Sequence, residues 1–147
     1  ETVNFVNAVS LIKERGIKLR ESKSAQEGEF VNLIQLEIKT DKETKKVSGT
    51  LSSNKQPRIV KIDDYYLELY PVGEMVFIRN WDKPGLIGSL GTLMGKHNIN
   101  IAAMTFGRDK PGGKAISVLN VDSQVGIDIQ EKIKKLENIL TVKVIRT

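Results

Sequence analysis

The feature that most constrains this 147-residue chain is the order in which apolar spacing changes period along its second half. Glu74–Arg79 reads as a strand, and Asp82, Pro84 and Gly85 form a helix-start signal with Asp82 as candidate N-cap. Leu86, Leu90, Leu93, Met94 and His97 then recur at i, i+4, i+7, i+8 and i+11, one face of a helix. Ile99–Phe106 is rich in strand formers, Lys110–Gly113 is a hairpin turn, and Ala115–Val121 is the returning strand. Ile129, Ile133 and Leu136 mark a second amphipathic helix, and Ile139–Ile145 alternates as a last strand. The order β-α-β-β-α-β is the split βαβ, or ferredoxin-like, plan: two helices on one face of a four-stranded antiparallel sheet. Such a sheet leaves one face bare and its edges unpaired, a liability in water. Pairing with further copies is the simplest cover, so a homodimer or homotetramer is expected.

The first half has a different texture. In Val3–Gly16 the positions Val6, Val9, Leu11 and Ile12 fit a short helix stopped by Gly16. Phe30–Ile38 alternates apolar and polar residues as a half-buried strand, and Asp41–Lys46 is a charged turn. Lys46–Leu51 returns, Pro57 opens a strand over Arg58–Ile62, and Asp63–Asp64 turns tightly into Tyr65–Tyr70. This is a meander of antiparallel strands. The textures meet near Pro71–Gly73, dividing the chain into 1–72 and 73–147. The expected class is α+β: a ferredoxin-like domain preceded by a smaller, mainly antiparallel α+β domain.

Composition closes many function classes. The chain has no cysteine, which removes disulfides, thiol catalysis and thiolate metal sites, and one histidine, His97. The net charge of +5 is dispersed, and its basic clusters at Lys42, Lys45 and Lys46 and at Lys132, Lys134 and Lys135 are broken by acidic neighbours. A nucleic-acid surface needs a sustained basic stripe with stacking aromatics, so no nucleic-acid partner is expected. No apolar run reaches the ~20 residues of a membrane span and no leader pattern opens the chain, so no membrane partner and a cytoplasmic location are expected. No catalytic residue and no metal ligand set is assigned.

The plan itself serves several functions, and residue types separate them. RNA-recognition modules need aromatics on their central strands, and Ala115–Val121 has none. Acylphosphatase-type chemistry needs an arginine-bearing phosphate loop where this chain has Asn80, Trp81, Asp82 and Lys83. Gly85, Gly88 and Gly91 recur at every third residue, which suits close helix packing rather than a dinucleotide fingerprint. Lys110–Gly113 resembles a phosphate loop only in composition, and His97 suits a helix C-terminus. Trp81 fits a ligand cover and a subunit contact equally.

What remains is a polar set suited to a small zwitterion: Asn80 and Asp82 at the strand exit, the amides of Leu86, Ile87 and Gly88, and Asn100. Helix-start amides receive a carboxylate at the positive end of the dipole. A carboxylate such as Asp82 accepts hydrogen bonds from an ammonium, and an asparagine donates and accepts at once. An ordinary N-cap at Asp82 and a turn residue at Asn100 explain the same spacing, so the residues alone leave both readings open.

Residues 75–147, with Arg79–Gly88, Asn98–Ala102 and Gly113–Asp122, resemble an ACT domain. Residues 3–71, with Val3–Ala8, Glu14–Ile17, Val47–Leu51 and Pro57–Asp63, resemble the domain that precedes ACT in long-form D-3-phosphoglycerate dehydrogenases. The resemblance implies a C-terminal regulatory fragment of an NAD-dependent enzyme of L-serine synthesis, with no cofactor site of its own and part of its first domain lying before Glu1. It further implies L-serine or another small amino acid as effector at an ACT–ACT interface, with Asn80, Asp82, Leu86, Ile87, Gly88 and Asn100 as matching positions. Asn80 stands where some regulated members carry histidine or tyrosine. Arg58, with Lys61 beside it, matches an anion-binding cluster of the preceding domain, while Tyr66 and Tyr70 stand where those members have further basic residues. Two other readings are a purely structural oligomerisation module and the regulatory part of a bacterial L-serine dehydratase subunit.

Overall fold

The structure, a computed structural model, describes residues 2–24, 30 and 32–147. The chain divides into two compact units, 1–31 and 32–147. The first carries helix α1 (Ala8–Glu14), shorter than the Val3–Gly16 spacing suggested. Its stop is the expected one: Gly16 adopts φ 65°, its amide donates to the Lys13 carbonyl, and the Ile17 amide donates to Ile12. That pair of bonds closes the last turn and needs a left-handed residue, which glycine supplies without a Cβ clash.

The second unit contains two four-stranded sheets. The first is a meander of β1 (Leu33–Lys39), β2 (Thr44–Leu51), β3 (Pro57–Ile62) and β4 (Tyr65–Leu69) in that spatial order, all antiparallel. The strand expected from Phe30 begins at Leu33; of its expected residues, Val31 lies outside the described set. The Asp63–Asp64 turn forms as expected, with Asp63 at φ 51°.

The second sheet comprises β5 (Glu74–Trp81), β6 (Ile101–Arg108), β7 (Lys114–Val121) and β8 (Ile139–Arg146), ordered β6-β7-β5-β8. Helices α2 (Leu86–Lys96) and α3 (Ile127–Lys134) interrupt it at the expected places. This is the βαββαβ plan, and the class is α+β. Alternation along β5 sends Val76 and Ile78 to the helices, where they pack with Leu90, Met94, Leu119 and Ile133. Met75 and Phe77 face the other way.

That second face is not bare. Leu67 and Leu69 of β4, with Ile59 and Ile62 of β3, pack onto Met75, Phe77, Ile116 and Val118. The expectation of a bare face is corrected here: the strands preceding the ferredoxin-like segment bury it within the same chain, because both surfaces are apolar and the short linker keeps them adjacent. Three polar links join the sheets. Thr105 donates its hydroxyl to the Glu68 carbonyl at 3.1 Å, Arg79 pairs with Asp63, and the Asn120 amide donates to Tyr70 and Val72 carbonyls at 3.0 and 3.1 Å. At Gly107 the backbones nearly touch: a Cβ there would meet the Tyr66 carbonyl oxygen at 2.9 Å. The sheets therefore share one unit although the textures divide at residue 72.

Candidate amino-acid site at the first strand exit

β5 delivers the chain to Asp82, whose amide donates to the Gly113 carbonyl at 2.8 Å. The Asp82 carboxylate accepts from the Arg108 guanidinium at 2.8 Å and from the Gly112 amide at 3.2 Å. The expected N-cap role is corrected: α2 is capped by Gly85 in the left-handed region at φ 88°, with no side-chain cap bond. Three residues of loop between Asp82 and the helix leave the carboxylate aimed at the β6–β7 hairpin, where a cation waits. Arg108 first, then the Gly112 amide, hold the Asp82 carboxyl below the usual carboxylate range.

Asp82, Lys83, Gly85, Ile87, Arg108 and Gly112, with Pro84, line an open cleft of about 480 Å³. The first intrahelical bond at this end of α2 runs from the Ser89 amide to the Gly85 carbonyl, so the amides of Leu86, Ile87 and Gly88 precede it. They sit at the positive end of the helix. Leu86 sends its side chain into the core and Ile87 stands exposed. One cleft thus joins a carboxylate, two cations and a helix start, the complement of an ammonium and a carboxylate on one small molecule.

The other expected residues are placed differently. Asn80 is 2% exposed; its amide nitrogen donates to the Trp81 carbonyl and its oxygen accepts from the Ser117 hydroxyl at 2.8 Å. As the residue two after Ile78 it points to the core face, so its amide is engaged inside the sheet and not offered to the cleft. Asn100 donates to Asp122 at 2.6 Å, at the far end of the sheet. Trp81 pairs with Lys114, whereas Ile101 pairs with Val121, the partner of Glu74. Seven steps of ~3.4 Å separate those ends, so Asn100 and Asp82 of one chain stand about 24 Å apart.

Arg108, Lys83 and Gly112 are cleft residues that spacing did not single out. The signal exists only through register: β7 residue Ala115 pairs with both Asn80 and Arg108, which brings the strand exit and the end of β6 together. The Lys110–Gly113 segment is the hairpin expected, with Gly112 at φ 73°.

In the first sheet, Arg58 is 6% exposed and lies over the Tyr70 ring at 3.3 Å from its centroid. Its terminal nitrogens donate to the Pro57 carbonyl and the Gln56 side chain, and its Nε lies 3.5 Å from a Glu68 oxygen without hydrogen-bond geometry. Lys61 lies over Tyr66. Both expected anion-binding cations are thus stacked on tyrosines, Arg58 on Tyr70 and Lys61 on Tyr66, and Arg58 is turned away from water. Two of the planar donors of Arg58 are thus engaged within the chain. His97 caps the C-terminal end of α2 and lies 3.2 Å from Lys132. Among the described residues, no group of three or more His, Cys, Asp or Glu could hold a metal ion, and no helix is long and apolar enough to cross a membrane.

Three further carboxyls are held low: Glu37 by Lys39 and Lys46, Glu74 and Asp63. The Arg146 guanidinium holds Glu74 below the usual range despite partial burial; at Asp63 burial pulls upward and is outweighed by the Lys46 amide and Arg79. A carboxyl with a depressed folded pKa contributes its full stability above the unfolded value and loses it as pH falls through the folded one. The melting temperature should therefore be level from pH 7 to about 5 and fall below about pH 4, and Glu74→Gln should reduce the slope. Thermal melts across that range check this; an unchanged slope in Glu74→Gln overturns the assignment.

Residues 1–63 match the D-3-phosphoglycerate dehydrogenase intervening domain, and residues 75–138 match the ACT domain. The chain pairs a phosphoglycerate dehydrogenase intervening domain with an ACT domain. D-3-phosphoglycerate dehydrogenase of Bacillus subtilis is 37% identical over 98% of this chain and 27% of its own length. The enzyme of that name from Methanocaldococcus jannaschii is 37% identical over 97% of this chain and 27% of its own length. That from Archaeoglobus fulgidus is 37% identical over 94% and 26%. The chain thus spans about a quarter of the length of the curated relatives it matches, and it corresponds to their C-terminal regulatory part. The Asp82–Arg108 cleft lies in the ACT segment; Arg58 lies within the matched part of the intervening domain, and its stacking partner Tyr70 lies just past it.

Proposed function

We propose that this chain is the amino-acid-sensing and assembly portion of an NAD-dependent D-3-phosphoglycerate dehydrogenase, with L-serine as effector and its functional boundary at 72/73. Chemistry on 3-phosphoglycerate belongs to other parts of the parent. The residues present do not fit a dinucleotide: Gly85 stands at the β5–α2 turn, but Gly88 and Gly91 follow at three-residue spacing inside α2, not as G-x-G-x-x-G. The observation that carries the reading is the cleft in the ACT segment where Asp82, Arg108 and the α2 start at Gly85 and Ile87 come together.

The site is completed by a second copy. β6 is an edge strand of its sheet, with one side paired to β7 and the other unpaired. Two β6 edges paired antiparallel about a two-fold axis set the Ile101 end of one against the Arg108 end of the other. Asn100 of a second copy then reaches the Asp82 cleft that its own chain's Asn100 cannot. An effector that bridges two copies stabilises one arrangement of the oligomer over another, and so reaches a distant active site.

L-serine should raise the melting temperature of the chain. At a hundredfold excess over Kd the stabilisation is about 2.7 kcal/mol, and Asp82→Ala should abolish it. Differential scanning fluorimetry with L-serine and D-serine checks this. No shift at millimolar L-serine, with the chain dimeric by light scattering, overturns sensing and leaves a structural assembly module.

A further inference from the structure

We infer that Arg108 is the residue that anchors the effector's carboxylate, and that its ion pair with Asp82 is split when an amino acid enters the cleft. The inference rests on the amino-acid reading above and assigns a residue that neither the spacing nor the resemblance pointed to. Four observations support it. Arg108 and Asp82 line the same cleft, with Nη1 2.8 Å from Oδ2. The Arg108 side chain is 57% exposed, so it can swing without dismantling any packing. Asp82 is held independently, by the Gly112 amide on its carboxylate and by its own amide on Gly113, so it stays when the arginine leaves. The backbone under Arg108 is held too, since Gly107 lies against β4 with no room for a Cβ.

The exchange conserves charge pairing. In the free chain the carboxylate and guanidinium satisfy each other. A zwitterion inserted between them gives its ammonium to Asp82 and its carboxylate to Arg108, replacing one ion pair by two charge-assisted contacts. A guanidinium presents a planar fork that a carboxylate fits in two parallel hydrogen bonds, which Lys83 cannot copy. The cleft therefore selects molecules bearing both charges close together. An amine without a carboxylate, or a carboxylate without an amine, leaves half of the split pair exposed without a partner.

The test compares L-serine with L-serinamide, which keeps the ammonium and loses the carboxylate, at about pH 6.5, below the usual α-amino pKa. In the wild-type chain calorimetry should show L-serine binding at least about tenfold tighter than the amide. In Arg108→Gln that preference should fall to within about twofold, and Arg108→Lys should restore only part of it. Retained preference in Arg108→Gln, with an unaltered melting temperature, overturns the role of Arg108 while leaving amino-acid sensing standing. Absence of L-serine binding to the wild-type chain overturns the amino-acid reading itself, and this inference with it. If Arg108→Gln does not fold, Arg108→Lys decides: full preference for L-serine retained there overturns the fork argument.

Discussion

Chains carrying Asp82→Ala and chains carrying Asn100→Ala should each fail to bind L-serine alone and should regain binding when mixed. The expectation follows from the about 24 Å between the two residues in one chain, set by the antiparallel register of β5, β7 and β6. No rotamer change spans that distance, so a site using both residues must draw them from two copies. In a mixed dimer one cleft combines both defects and the other combines the intact Asp82 with the intact Asn100. Random pairing makes half of the dimers mixed, each with one of two sites intact, so about a quarter of wild-type binding capacity returns. Each variant alone should retain none, since an unpaired polar group in the site costs more than tenfold. Calorimetry on an equimolar mixture refolded together measures the stoichiometry. No recovery, or full binding by Asn100→Ala alone, overturns the two-copy site. The Asn100 contact with Asp122 at 2.6 Å gives a further variant, because Asp122→Ala frees Asn100 while leaving Asp82 and Arg108 unchanged.

Ile116→Ala should destabilise both sheets together, by about 2–5 kcal/mol. Ile116 is 0% exposed and packs among Leu67, Leu69, Met75 and Val118, where the first sheet lies on the second. Its truncation leaves a cavity between two surfaces whose backbones are already fixed by the Gly107 approach and the Thr105–Glu68 bond, so little collapse is available. For a unit of this size the loss lowers the melting temperature by roughly 4–20 °C. The chain provides its own separate reporters. All three tyrosines, Tyr65, Tyr66 and Tyr70, lie in or beside β4, and the single tryptophan, Trp81, ends β5. Tyrosine and tryptophan signals should move in one coincident transition in both proteins. Separate transitions would mean that the sheets unfold as two domains divided at residue 72, and that the buried seam between them contributes little.

Local patterns were legible from the residues. The α2 face at Leu86, Leu90 and Met94, the glycine stop at Gly16, the Asp63 turn and the Lys110–Gly113 hairpin all depend on neighbours within a few residues. Helix period, left-handed glycine and hairpin geometry are short-range rules, and they carried through to the βαββαβ order. Asp82 was legible as a polar residue at the strand exit, though its partner Arg108 was not. The same spacing that suggests an N-cap permits a loop of three residues that turns the carboxylate toward Arg108.

Tertiary structure alone decided where the expected residues stand. Asn80 and Asp82 are two apart in the chain, yet strand alternation and sheet pairing bury one against Ser117 and leave the other at an open cleft. Asn100 is carried to the opposite end because helix α2, between Asp82 and the start of β6, runs back along the sheet, and nothing in the local spacing encodes that distance. The covered face of the second sheet has the same origin. Which apolar surface meets which depends on long-range register and on the total area two sheets can bury, quantities that no short window of residues contains.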